Sequence, residues 1–121
     1  MERTRFIEHQ GKRILLLDYS GVRDPAETLR EIEHSRAVVA GQPPASLLVM
    51  TLVRDGRYNA SVLQGMKDLA AHNAPFVKAS AVVGMSGLHR IAYQAVILFS
   101  KRNIKVFEQE SEALDWLVTQ A

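Results

Sequence analysis

The segment Gly84-Met85-Ser86-Gly87-Leu88 comes nearest to a catalytic motif in this chain. A serine on a sharp turn between a strand and a helix is typical of a hydrolase nucleophile elbow, whose pattern is Gly-x-Ser-x-Gly. Leu88 stands where that pattern needs its last glycine, and the nearest downstream histidine, His89, lies on the same predicted helix. An activated serine needs a base within hydrogen-bond reach and an acid behind that base. The sequence shows no such trio, so we expect Ser86 to cap a helix or contact a ligand, and we expect no enzyme.

Two polar loops offer a different chemistry, the binding of an anion. Backbone amides at the start of a helix attract phosphate or carboxylate groups, and helices are predicted to begin at Asn59 and at Ser86. The candidate ligand contacts are Arg54, Arg57, Asn59, Ser61, Ser86, Gly87, His89 and Arg90. The alternative is two solvated loops with ordinary helix caps. Neither loop has a Walker or dinucleotide-binding motif.

The composition excludes several other classes of site. The chain has no cysteine, so disulfides, thiolate nucleophiles and cysteine zinc sites are absent. The four histidines are scattered over different predicted elements, and we expect no metal and no cofactor. The net charge of +2 comes without a Lys/Arg block, so nucleic-acid binding is not indicated. No apolar stretch approaches the roughly 20 residues of a membrane span, and the first residues lack a signal-peptide core, so we expect a cytoplasmic protein.

The elements that would position these residues alternate between strands and helices. The pattern predicts the order β-β-α-β-α-β-α-β-α within a single domain of residues 1–121. Strands are expected at 4–10, 13–19, 46–53, 76–83 and 104–107, and helices at 25–40, 59–72, 86–102 and 111–118. Asp24 should cap the first helix, with Glu27 completing a capping box, and Ser111 should cap the last. A strand, a helix and a further strand in succession indicate a crossover onto a mainly parallel sheet.

This order, together with three motifs, resembles the STAS fold and, more closely, the SpoIIAA-like family of small bacterial proteins. The motifs are Val82-Val83-Gly84-Met85-Ser86-Gly87-Leu88, Arg102-Asn103-Ile104-Lys105-Val106-Phe107 and Glu112-Ala113-Leu114-Asp115-Trp116-Leu117. The resemblance implies an α/β fold with a mixed, mainly parallel five-stranded sheet and four helices packed largely on one side. It implies no catalytic activity.

The resemblance also bears on regulation by phosphorylation. In sigma-regulator members of the fold, a partner kinase phosphorylates a serine at the start of the second helix. The matching stretch here is Tyr58-Asn59-Ala60-Ser61-Val62, which places Ala60 on the phosphorylated position. We therefore expect the chain to lack this phosphoserine switch.

The predicted third helix carries more apolar residues than one buried face needs. At helical spacing, Tyr93, Val96 and Ile97 fall beside the stripe that would face the core. A cluster of exposed apolar residues indicates a contact surface. The surplus predicts a homodimer or a protein partner, and the alternative is cover by a neighbouring helix.

These observations favour a non-enzymatic regulatory or protein-interaction module of STAS type. The alternative is a protein that binds a small anionic or acyl (lipid-like) ligand with the helix starts at the carboxyl ends of its strands. Enlarged members of the same fold carry lipids, which supports the alternative by analogy alone.

Overall fold

A computed structural model describes residues 2–56, 59–85, 90 and 103–121 of the chain. Apart from Arg90, the predicted third helix lies outside the described residues. Within them, the order of elements is β-β-α-β-α-β-β-α, with three α-helices. This differs from the predicted order of nine elements with four helices, and the difference falls on residues 86–102.

Five strands form one mixed, mainly parallel sheet, which confirms the predicted sheet. They are β1 (Thr4–His9), β2 (Lys12–Asp18), β3 (Leu47–Leu52), β4 (Val77–Val83) and β5 (Ile104–Phe107). Their order in space follows their order in the chain. The β1–β2 hairpin is antiparallel, whereas β2–β3, β3–β4 and β4–β5 pair in parallel. The hairpin turns through Gln10 and Gly11, both of which have positive φ.

Three α-helices and one short 3-10 turn complete the described fold. The helices are α1 (Pro25–Ala40), α2 (Ala60–Asn73) and α3 (Glu110–Thr119), and the 3-10 turn is Ala74–Phe76. Asp24 caps α1 as predicted, because its carboxylate accepts a hydrogen bond from the Ala26 amide at 3.0 Å. Glu27 does not complete the predicted capping box, since its carboxylate makes no hydrogen bond to a described residue. The prediction that Ser111 caps the last helix was wrong, because α3 begins one residue earlier with Gln109 at the cap.

The sheet is covered on both faces, because alternate residues of each buried strand point to opposite sides. The α1–α2 face is the apolar cluster of Leu15, Leu17, Tyr19, Ile32, Val39, Leu47, Val49 and Leu69. The α3 face is the cluster of Ile14, Leu16, Leu48, Met50, Leu52, Ala79, Ala81, Val83, Ala113 and Leu117. The resemblance implied helices largely on one side. Of the described helices, two pack on one face and the third on the other.

A chain of buried hydroxyl groups joins β1 and the residue that follows β2 to α1. The Tyr19 hydroxyl donates to Ser35 Oγ at 2.7 Å, and Ser35 Oγ lies 2.7 Å from Thr4 Oγ1. Thr4 Oγ1 in turn donates to Glu31 Oε2 at 2.6 Å. A hydroxyl group has one proton to donate. Because the Thr4 hydroxyl donates to Glu31, the Ser35 hydroxyl must donate to Thr4 Oγ1. The hydrogen bonds therefore run in one direction, from the core to a carboxylate at the surface.

Candidate functional site

The loops after four strands meet at the carboxyl edge of the sheet, where α/β folds usually bind ligands. Backbone hydrogen bonds hold these loops in register with one another. The Val53 amide donates to the Val83 carbonyl at 3.0 Å, and the Gly84 amide donates to the Phe107 carbonyl at 3.1 Å. The Gly21 amide donates to the Arg54 carbonyl at 2.9 Å. The loop that carries Arg54 and the turn at Gly84 are therefore neighbours.

Gly84 is the point of closest approach between two of these loops. Its φ of +91° lies in the left-handed region, which side chains rarely adopt. A Cβ atom placed on Gly84 would lie 2.7 Å from the Arg54 Cβ and 3.0 Å from the Arg54 backbone nitrogen. Both the conformation and the lack of space require glycine here. The glycine at the predicted motif thus has a structural reason that involves no ligand.

Arg54 and Arg90 converge on one residue, Glu108, in the loop after β5. The Arg54 guanidinium donates from Nη2 to the Glu108 backbone carbonyl. The Arg90 Nη1 atom pairs with Glu108 Oε1 at 3.1 Å, and the Glu108 side chain is 77% exposed. We call these three residues the edge cluster. Both arginines were predicted to bind a ligand, and in this structure both are engaged with the protein itself.

Asn59 and Ser61 lie at the start of α2. The Asn59 side-chain oxygen accepts a hydrogen bond from the Val62 amide at 2.9 Å, which makes Asn59 the cap of this helix. Ser61 is exposed in the first turn. Both residues occupy positions that are usual for their residue types at the start of a helix.

The remaining predicted contacts lie outside the described residues. They are Arg57, Ser86, Gly87 and His89 for the ligand, and Tyr93, Val96 and Ile97 for the interface. Of the predicted ligand contacts, the structure therefore brings together Arg54 and Arg90, through Glu108.

Sequence reasoning missed Glu108, although a signal for it existed. Glu108 follows the last strand directly, and the carboxyl ends of parallel strands share one edge. In the loop after β2, Asp18 accepts hydrogen bonds from the Ser20 amide at 2.9 Å and from the Ser20 hydroxyl, so its carboxylate caps that turn.

Across the described ranges, no group of three or more histidine, aspartate and glutamate side chains is placed to hold a metal ion. None of the described helices is long and apolar enough to cross a membrane.

Comparisons with known proteins identify the fold of this chain but do not indicate an activity. No protein-family model matches the chain, and no curated protein matches it. A crystal structure from Shewanella loihica PV-4 superposes with a TM-score of 0.75 at 17% sequence identity, covering 94% of this chain and 91% of that one. It is described as an uncharacterised protein of the DUF3478 family with a SpoIIAA-like fold.

This chain has a SpoIIAA-like fold. The predicted resemblance is thereby confirmed at the level of the fold, because the superposition extends over nearly the whole chain. At 17% identity the likeness carries no function from one protein to the other.

Proposed function

We propose that the protein is a non-enzymatic interaction module that contacts a protein partner through the edge cluster. The observation that carries the proposal is the convergence of Arg54 and Arg90 on Glu108, which fixes an exposed charged surface on the rigid edge of the sheet. Charges held in place favour recognition, because little side-chain freedom remains to be lost on binding.

The surroundings of the edge cluster favour contact with a partner protein over catalysis. Residues Glu108 to Glu112 are all exposed and include three glutamates. The Arg54 side chain also anchors this segment, because it donates to the Glu108 backbone carbonyl. Substitution of the Glu108 side chain should therefore leave that hydrogen bond intact. An acidic surface of this kind suits a partner with a basic patch, since complementary charge raises the rate and specificity of association.

A photo-crosslinking amino acid at position 109 tests this proposal in cells. Gln109 is exposed and makes no side-chain cap hydrogen bond, so its replacement should leave the fold intact. We expect one discrete adduct, and we expect Glu108→Arg to reduce its yield about tenfold through like-charge repulsion. An adduct of twice the chain mass would identify the partner as a second copy.

The same crosslinker at Arg36 serves as the control. Arg36 is exposed on α1, which packs on the opposite face of the sheet from α3. Equal adducts from both positions, or none from position 109, would contradict the proposed surface.

Loss of the Glu108–Arg90 ion pair itself should cost less than about 1 kcal/mol of stability, because exposed pairs contribute little.

A second candidate function, binding of a small apolar ligand, is favoured by a cavity between the sheet and α2. Its volume is about 90 Å³. The described wall residues are Leu17, Val49, Thr51, Val53, Met66, Leu69, Ala70, Asn73, Val77, Ser80, Val82, Met85 and Ile104. Ligand pockets are usually about 300–1,000 Å³, so an acyl chain could enter only if the walls moved apart.

Native mass spectrometry of the protein as purified from cells tests this second function. A retained ligand appears as mass above that of the bare chain. We expect Ser80→Leu, which adds apolar volume to the cavity wall, to abolish the extra mass. The matched variant Ser111→Leu, at an exposed position on α3, should retain it. A bare chain under gentle conditions would make the cavity a packing void and reject the ligand.

A further inference from the structure

A surface groove opens beside β1 and is lined by residues other than those of the edge cluster. It has a volume of about 400 Å³ and lies between the start of β1, the loop after β2 and the first turns of α1. Its described lining is Arg3, Val22, Glu27, Arg30 and Glu31. Two cations and two anions thus share one groove of the size that small ligands occupy.

The first cation, Arg3, is fixed by the loop after β2. Its Nη1 atom donates to the Ser20 carbonyl at 3.0 Å and to the Asp18 carbonyl at 3.3 Å. The same atom lies 3.8 Å from Asp18 Oδ1. The other guanidinium N–H groups of Arg3 make no hydrogen bond to any described residue. A guanidinium held in this way keeps donors available for a carboxylate in a fixed orientation.

The first anion, Glu31, is held by contacts with Thr4 and His34. Its Oε2 atom accepts the hydrogen bond from Thr4 at 2.6 Å and lies 3.3 Å from His34 Nδ1. Its side chain is 18% exposed, so Glu31 is less solvated than the surface glutamates. A carboxylate in this setting attracts an ammonium group more strongly than a fully solvated one does.

Glu27 and Arg30 add a second charge of each sign. Both are exposed on α1, and neither makes an ion pair or a side-chain hydrogen bond with any described residue. Arg3 and Glu31 likewise lie beyond ion-pair distance of each other, although each has a partner outside the groove. Within the described part of the chain, the four charges of the groove therefore do not neutralise one another.

We propose that this groove binds a small zwitterion, a free α-amino acid. Its ammonium group would lie against Glu31 and Glu27, and its carboxylate against Arg3 and Arg30. Val22 lines the groove while being only 4% exposed, so it would form the apolar floor beneath the amino-acid side chain. A ligand with both charges can pair with the arginines and with the glutamates, whereas a simple anion is repelled by the two glutamates and a simple cation by the two arginines. The proposal concerns a site distinct from the edge cluster and does not depend on it.

Titration of the full chain with L-leucine, followed by the backbone amide resonances of Val22 and Arg30, tests the proposal. Two leucine derivatives provide matched probes, because N-acetyl-L-leucine lacks the ammonium group and L-leucinamide lacks the carboxylate. We expect saturable shifts with L-leucine and a Kd of about 1 mM. Each derivative should bind at least about tenfold more weakly.

Variants of single groove residues separate binding from folding. Glu31→Gln keeps an oxygen that can accept the Thr4 hydrogen bond and should weaken leucine binding about tenfold. Arg30→Gln removes a solvated charge and should weaken it about threefold. Glu33→Gln, an exposed position outside the groove on the same helix, should have no effect. The proposal is overturned if L-leucine causes no shift at about 10 mM, or if L-leucinamide or N-acetyl-L-leucine binds equally well.

Discussion

Replacing Gly84 with alanine should lower the free energy of unfolding by about 3 kcal/mol. Two physical terms add at this position. A φ of +91° strains any side-chain residue by about 1 kcal/mol. The new Cβ atom would also lie 2.7 Å from the Arg54 Cβ, so the two loops at the carboxyl edge would have to move apart. Urea denaturation followed by circular dichroism measures the sum of both terms.

Gly11→Ala is the matched control, because it separates the two terms. Gly11 also has a positive φ, of +78°, but a Cβ atom there would meet nothing within 4 Å. We expect this variant to lose about 1 kcal/mol, which is the backbone strain alone. Equal losses for the two variants would show that the contact between Gly84 and Arg54 does not restrict the fold.

Removing the hydroxyl group in the middle of the buried chain, by Ser35→Ala, should cost about 2 kcal/mol of stability. Ser35 is 0% exposed, so water cannot replace its hydroxyl without disturbing the packing of α1 on the hairpin. The Tyr19 hydroxyl would lose an acceptor and Thr4 Oγ1 would lose a donor. Denaturant unfolding gives the change in free energy directly.

A double-mutant cycle with Tyr19→Phe tests whether the chain acts as a unit. We expect the losses to be non-additive by about 1 kcal/mol, because each variant removes the same hydrogen bond. Ser111→Ala, at an exposed position on α3, should change stability by less than about 0.5 kcal/mol. Strict additivity between positions 35 and 19 would contradict the direct coupling of the two hydroxyl groups.

The sequence predicted the sheet well because its signals are local. A continuous apolar run marked β3, and Asp24-Pro25 marked the start of α1. The last helix start was misplaced at Ser111, because a serine in the first turn looks the same in sequence as a cap. The distribution of helices over both faces depends on which side each connection crosses, and no single segment encodes that.

The sequence predicted two loops at the carboxyl ends of strands and left open whether they meet. The structure places the loop of Arg54 beside the turn at Gly84, and binding of a ligand there stays a prediction. The sequence did not predict that Glu108 would engage both arginines, because that contact joins residues far apart in the chain. The sequence did not indicate the groove of Arg3 and Glu31, since its charges come from the start of β1 and the first turns of α1 and occur in no motif.

The strands are arranged in chain order, so each of them can join the sheet as it leaves the ribosome, without waiting for a later neighbour. The α3 face has no such advantage. Ile14, Leu16 and Met50 on that face are buried against a cluster that includes Ala113 and Leu117 of the last helix. During synthesis, α3 therefore cannot cover the apolar residues of this face until residues 110–119 have been translated. Until then, the part of the α3 face that these strands form lacks the helix that packs on it in the folded chain.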